Sequence, residues 1–220
     1  MPSLLADERE QVAIFGRRLL QHNLTRGTSG NLSVFDRRLQ LMAISPSGID
    51  YQQTSPEDVV VIDLEGRIAE GSNTPSSEWA LHAAIYRNRE DVAAAVHAHS
   101  TFSTVLSCLH WDLPALHYMI ALAGPVVRCA DYATFGTRQL ADNALAALED
   151  RNAVLLANHG LLATGGVLAS AFHIACEIEF CAELFWRSKA VGEPVILDRD
   201  EMTLMKDKFR TYGQFPPATE

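Results

Sequence analysis

From about Leu5 to Leu24, apolar residues recur with roughly helical spacing at Leu5, Val12, Ile14, Phe15, Leu19 and Leu20, and Gly27 follows as a stop. A helix is predicted there. Asn31–Phe35 and Leu39–Ile44 are short apolar runs separated by Asp36-Arg37-Arg38, which reads as two paired strands on a tight turn. Ser45-Pro46-Ser47-Gly48 is loop. The β-branched run Asp58–Asp63 predicts another strand, and Glu65-Gly66 leads into a further one at Arg67–Ala69.

Beyond this strand-rich third, helix and strand alternate. Asn73-Thr74-Pro75-Ser76-Ser77 supplies cap-forming residues before the helical run Glu78–Tyr86, which places Glu78 in the first turn. Val92–His99 reads as a buried strand, Thr101–Leu109 as a helix, Val126–Ala130 as a strand and Thr137–Leu148 as a helix. Ala153–Ala157 reads as a strand ending at Asn158-His159-Gly160. Helices at about Leu168–Ala190 and Asp200–Tyr212 close the pattern, followed by a Pro-Pro tail expected to be mobile. The expected organisation is one domain over residues 1–220, without repeat or linker.

Composition narrows the function classes. The chain has 48% hydrophobic and 20% charged residues, the balance of a packed core rather than of a disordered chain. Its net charge of −9, with no Lys/Arg run, argues against nucleic-acid binding. No uncharged apolar stretch is long enough to span a membrane, and the N-terminus lacks the outline of a secretory signal, so a cytoplasmic protein is expected. Cys108, Cys129, Cys176 and Cys181 lie singly in apolar surroundings and are expected to be buried, reduced thiols.

The sharpest chemical signal is Val96-His97-Ala98-His99, because side chains two apart on a strand share a face and can grip one ion. His159 is a third candidate ligand, beside a glycine that lets the backbone turn from a crowded site, and Glu78 can add an oxygen. Such a set suits a borderline divalent ion such as zinc. His82, one helical turn after Glu78, is a rival ligand, whereas His22, His110 and His173 are assigned ordinary structural roles. Thr28-Ser29-Gly30-Asn31, Ser47-Gly48 and Ser76-Ser77 can cradle phosphate, most readily where Ser76-Ser77 opens a helix, but taken by themselves plain turn and cap chemistry explains them better. Tyr118, flanked by apolar residues, reads either as a core aromatic or as a functional group beside the metal.

Taken together, GTSGNLS from Gly27, SPSGI from Ser45, PSSEW from Pro75, VHAHS from Val96, LHYMIA from Leu116, YATFGTR from Tyr132, ANHGLLA from Ala157 and RTYG from Arg210 resemble the class II aldolase/adducin family across nearly the whole chain. The resemblance implies a three-layer α/β/α sandwich with a mainly antiparallel central sheet, assembled as a homotetramer with active sites between subunits. It places His97, His99 and His159 on the family's zinc ligands and Glu78 on the catalytic carboxylate that can also ligate the metal. It places Thr28, Gly30, Asn31, Ser47, Gly48, Ser76 and Ser77 on phosphate-binding positions, and Tyr118 on a tyrosine contributed by an adjacent subunit. Phe135 and Tyr212 match aromatic residues lining the aldehyde side.

The implied activity is reversible, zinc-dependent cleavage of a ketose 1-phosphate into dihydroxyacetone phosphate and a hydroxyaldehyde. Glu78 would move the carbon-bound proton and Tyr118 the proton on the aldehyde oxygen. Ser47 stands where the family's ketose 1-phosphate aldolases typically have threonine, and Asn158 where they typically have histidine. Asn158 also occurs in decarboxylase branches, so a metal-dependent decarboxylase of a 3-oxo-tetronate 4-phosphate type is the alternative. A pentulose phosphate 4-epimerase and a non-catalytic, adducin-like interaction domain remain further alternatives.

Overall fold

The computed structural model describes residues 3–212, and the Pro-Pro tail lies outside them. The helices are α1 (Ala6–Gln21), α2 (Trp79–Asn88), α3 (Thr101–Cys108), α4 (Arg138–Ala147), α5 (Leu168–Val191) and α6 (Arg199–Phe209). The strands are β1 (Asn31–Asp36), β2 (Leu41–Ile44), β3 (Val60–Asp63), β4 (Ile68–Glu70), β5 (Ala94–Ala98), β6 (Cys129–Ala130), β7 (Ala153–Leu156) and β8 (Gly160–Gly165). They form one sheet in the order β4-β3-β2-β1-β5-β8-β7-β6, antiparallel throughout except for the β6–β7 pair.

Alternation along the strands divides the core in two. Leu32, Val96, Ala98, Leu155 and Leu161 pack with residues of α1, α3 and α5. Phe35, Ala95, Val154, Leu156 and Leu162 instead pack with α2 and α4. Burying both faces under helices gives the expected three layers, and it explains why β5 and β7 read as continuous apolar runs rather than alternating ones. On this two-sided strand His97 has the parity of Ala95, so it faces the α2 layer.

Several boundaries differ from the expected ones for local reasons. The second strand starts at Leu41 rather than Leu39, because Gln40 adopts a left-handed φ of 56° to complete the turn. Val126–Ala130 shrinks to the two-residue β6, and the last helix runs Arg199–Phe209 with Asp198 as its cap. Strand β8 was not predicted; Gly160 and Gly165 bracket an apolar run too short to declare a period. The cysteines also depart from expectation. Among the described residues all four are free, but only Cys181 is buried, Cys129 and Cys176 are half-buried, and Cys108 is exposed at the end of α3. No described helix is long and apolar enough to cross a membrane.

Helix α3 begins two residues after His99, and α5 fixes its start. Glu179 accepts hydrogen bonds from the Phe102 and Ser103 backbone N–H groups, each at 2.8 Å, which satisfies donors that no intrahelical carbonyl can reach.

Candidate metal centre and active site

Strand β5 ends at the centre of the sheet, with β1 on one side and β8 on the other. His97 pairs with Asn31 across β1 and with Leu162 across β8, and its side chain is fully buried. His99 lies one residue past the strand end, and His159 sits in the short hairpin turn joining β7 to β8. The three rings converge with centroids 4.6–5.0 Å apart, and one nitrogen from each falls within 4.8 Å of the others.

Two glycines make that convergence possible. A Cβ on Gly30 would stand 2.7 Å from the His97 carbonyl oxygen, and one on Gly160 would stand 2.4 Å from that of Ala98. Neither carbonyl can move without disturbing the strand that carries the histidines. Gly160→Ala is therefore expected to displace the His159 turn and to weaken metal binding about tenfold or more. Chelator competition on the folded variant checks this, and unchanged affinity would refute the steric argument.

Ring orientation is fixed by the backbone. His97 Nδ1–H donates to the Leu161 carbonyl at 2.9 Å, which leaves its Nε2 as the bare nitrogen, free to accept or to ligate. That Nε2 is 2.9 Å from His99 Nε2, too close for both to carry hydrogens. Burial, followed by the neighbouring His159 and His99, holds His97 well below the usual imidazole range, and burial with His159 lowers His99 as well. Both rings are thus kept neutral, the protonation state a metal requires.

Glu78 immediately precedes α2 and is 6% exposed. Its Oε2 lies 3.3 Å from His97 Nε2, and its Oε1 lies 3.6 Å from His159 Nε2. Oε2 accepts from Asn31 Nδ2 at 2.9 Å, but the buried Oε1 has no hydrogen-bond partner. An orphaned carboxylate oxygen beside three imidazoles is costly in isolation, and a divalent cation among them would compensate it. The donor set of three nitrogens and one oxygen fits such an ion.

The phosphate candidates form a partly connected rim. Ser47 N–H donates to the Thr74 carbonyl at 2.9 Å and Ser76 N–H to the Ser45 carbonyl at 3.0 Å, which joins the Ser47-Gly48 turn to the start of α2. Tyr51 Oη donates to the Gly30 carbonyl at 3.0 Å and contacts Ser45 Oγ at 3.3 Å, bringing in the loop that holds Thr28. Thr28, Ser47, Gly48 and Ser77 are exposed, Gly30 is half-buried, and Ser76 and Asn31 are buried. Asn31 stands apart from the rim because its amide contacts both Glu78 and His82.

Phe135 is 62% exposed on a loop whose Gly136 lies close to the Ser77 carbonyl. Tyr118 and Tyr212 are elsewhere. Tyr118 occupies a short 3-10 helix (Tyr118–Leu122) and packs on His117 and Phe209, and Tyr212 also packs against Phe209. Among the described residues, neither has a recorded contact with the three histidines. A cleft of about 1220 Å³, lined in part by Arg89, Arg128, Arg151 and Lys206, opens near the starts of β5 and β7, away from the strand ends that hold the histidines.

The rival His82 does not join the cluster. Its Nδ1 contacts Ser33 Oγ at 2.6 Å and its Nε2 contacts Asn31 Oδ1 at 2.5 Å. Ser33, His82 and Tyr86 form a buried polar group, whose trace in the sequence is the recurrence of Glu78, His82 and Tyr86 every four residues. His110 was assigned an ordinary role, yet its Nε2 contacts Asn158 Oδ1 at 2.6 Å and so braces the turn that bears His159. Asn158 has a left-handed φ of 53°, a conformation asparagine tolerates better than most residues.

Comparison with known proteins places this architecture. The profile of the Class II Aldolase and Adducin N-terminal domain matches residues 10–186. A 5-deoxy-D-ribulose 1-phosphate aldolase of Bacillus thuringiensis serovar kurstaki is 51% identical over 211 residues, covering 96% of this chain and 99% of the relative. An L-fuculose phosphate aldolase of Escherichia coli (strain K12) is 43% identical over 192 residues, covering 86% of this chain and 88% of the relative. A solved structure titled L-fuculose 1-phosphate aldolase superposes with a TM-score of 0.91 at 51% identity, covering 96% of this chain and 98% of that one. The chain belongs to the class II aldolase and adducin N-terminal domain family, and within it stands with the aldolases, which are metal-dependent lyases.

Proposed function

We propose that this protein is a zinc-dependent aldolase that cleaves a deoxyketose 1-phosphate to dihydroxyacetone phosphate and a short aldehyde, and that a 5-deoxypentulose 1-phosphate is its first substrate. The single observation that carries the reading is the buried Glu78 carboxylate facing His97 and His159, with one oxygen unpartnered. His97, His99 and His159 would hold the ion, and Glu78 would stand close enough to bind it or to exchange a proton with the substrate. When bound, zinc supplies a Lewis acid that polarises the substrate's carbonyl group.

The remaining steps belong to this chain's residues. Glu78 holds the proton transferred to and from the carbon beside that carbonyl. Ser76, Ser77 and the start of α2 orient the phosphate, with Thr28, Gly30, Ser47 and Gly48 completing the rim and Asn31 linking it to Glu78. Tyr118 transfers the proton of the aldehyde oxygen into the site of a neighbouring copy in a homotetramer. Its 46% exposure and its lack of a recorded contact with the histidines of its own chain support that role. Phe135 from one copy and Tyr212 from another would line the aldehyde side.

Sequence proximity favours the five-carbon substrate, since the Bacillus relative named for 5-deoxy-D-ribulose 1-phosphate is 51% identical. L-fuculose 1-phosphate is the second candidate, on the likeness to the solved structure of that title. The test incubates zinc-loaded protein with 5-deoxy-D-ribulose 1-phosphate, L-fuculose 1-phosphate and a 3-oxo-tetronate 4-phosphate. Dihydroxyacetone phosphate with acetaldehyde is expected from the first at the highest kcat/KM. Release of carbon dioxide from the oxo acid, without aldehyde from either ketose, would replace the aldolase with the decarboxylase.

A further inference from the structure

Glu78 at the cap of α2, with His82 and Tyr86 one and two turns into the helix, lies on one face, and β1 presents Asn31 and Ser33 on the face opposite. The two sets interlock without a gap. Asn31 Nδ2 lies 2.9 Å from Glu78 Oε2, and Asn31 Oδ1 lies 2.5 Å from His82 Nε2. His82 Nδ1 lies 2.6 Å from Ser33 Oγ, which lies 2.5 Å from Tyr86 Oη. All five side chains are buried, so each of these contacts must be a hydrogen bond with a definite donor.

The direction follows from one end. An ionised carboxylate only accepts, so Asn31 must turn its N–H to Glu78 and its carbonyl to His82. His82 must then carry hydrogen on Nε2, which leaves Nδ1 to accept from the Ser33 hydroxyl. Ser33 Oγ, its own hydrogen given to His82, in turn accepts from Tyr86, whose single hydrogen also lies within reach of the Ser33 carbonyl at 3.1 Å. Reversing the His82 tautomer would flip the Asn31 amide and set its carbonyl against the carboxylate, two acceptors facing each other.

We infer that His82 is a positioning residue for Glu78: held as its Nε2–H tautomer by Ser33 and Tyr86, it locks the Asn31 amide in the one orientation that offers an N–H to the carboxylate. This role rests on reading Glu78 as the carboxylate that faces the metal. It gives His82 a function at the site without making it a ligand, and it gives Asn31 a task separate from any phosphate contact.

The test has two parts. In the metal-free protein, ¹⁵N-resolved imidazole spectra should show His82 with its hydrogen on Nε2, and Ser33→Ala should shift that signal toward a mixture of tautomers. Zinc affinity by chelator competition and steady-state kinetics are then compared in His82→Gln, which keeps a side-chain N–H, and His82→Met, which has similar length and no donor. His82→Met is expected to lose about 10- to 100-fold in zinc affinity and in kcat with KM little changed, while His82→Gln recovers most of both. Unfolding midpoints measured alongside separate this from loss of stability. Ser33→Ala should show a smaller loss of the same kind, and it carries the test if either His82 variant fails to fold.

An Nδ1–H tautomer in the wild-type protein, or equal zinc affinity and kcat in folded Gln and Met variants, overturns the positioning role. If the tautomer and the split in zinc affinity are found but no sugar phosphate is cleaved, the aldolase reading fails and the positioning role stands. If wild-type protein cleaves the ketose phosphate and folded His82→Met does so equally well, the reverse holds.

Discussion

His97→Ala is expected to leave the chain folded, to bring its zinc content from about one ion per chain to near zero, and to remove turnover. The ring occupies a fully buried position on β5 and faces both other imidazoles and Glu78. Its removal takes away the imidazole of the three whose orientation the Leu161 carbonyl fixes. It also leaves Glu78 buried beside two imidazoles too few to hold the ion in a closed set. A Lewis acid contributes several kcal/mol to such a barrier, so at about 1.4 kcal/mol per factor of ten the loss in kcat/KM is about 10³-fold or more. Elemental analysis of dialysed protein, with circular dichroism to confirm the fold, checks it. His173→Ala serves as the control, because His173 lies on α5 with its Nδ1 3.9 Å from a Glu177 carboxylate oxygen, apart from the three-histidine cluster. Stoichiometric zinc in folded His97→Ala would remove His97 from the ligand set.

The histidine pair was legible in the sequence because strand periodicity is local: an i, i+2 spacing puts two side chains on one face whatever surrounds them. The structure alters the detail, since His99 falls just past the end of β5, yet the rings still converge. The contribution of Glu78 is of a different kind. Its place at the start of α2 was readable from the Ser76-Ser77 signal, but its distance to His159 depends on the packing of α2 against β1 and on the β7–β8 turn. Strand β8 carries no readable signal although it flanks β5, because the four residues between its glycines, 161–164, are too few for a period to distinguish strand from helix.

His82 and His110 show the same limit from the other direction. The sequence marked one as a rival ligand and the other as ordinary, and in space both support residues of the site through an asparagine amide. A side chain acting through another residue leaves no spacing rule. Only the four-residue recurrence of Glu78, His82 and Tyr86, set against Asn31 and Ser33 two apart, could have suggested the buried array. Tyr118 and Tyr212 pack around Phe209 rather than beside the three histidines, so no local spacing ties them to the cluster.

Glu78→Gln separates metal binding from proton transfer. The amide has the shape of the carboxylate, and its carbonyl can still accept from Asn31 Nδ2, so the side chain should keep its place between His97 and His159. Its other end becomes an NH₂ group where Oε1 had been unpartnered. That end can neither bind a cation nor take a proton from carbon. Three imidazoles remain, so zinc should be retained with modestly lower affinity, while kcat falls by about 10²- to 10⁴-fold, the usual worth of a positioned general base. The half-reaction gives the sharper readout. In deuterated water without aldehyde, the wild-type enzyme should exchange a carbon-bound hydrogen of dihydroxyacetone phosphate, and zinc-loaded Glu78→Gln should not. Because that exchange needs no aldehyde, it does not depend on Tyr118, Phe135 or assembly on the aldehyde side. Exchange at the wild-type rate in the zinc-loaded variant would show that another group takes the proton, and Glu78 would keep only its place as a ligand.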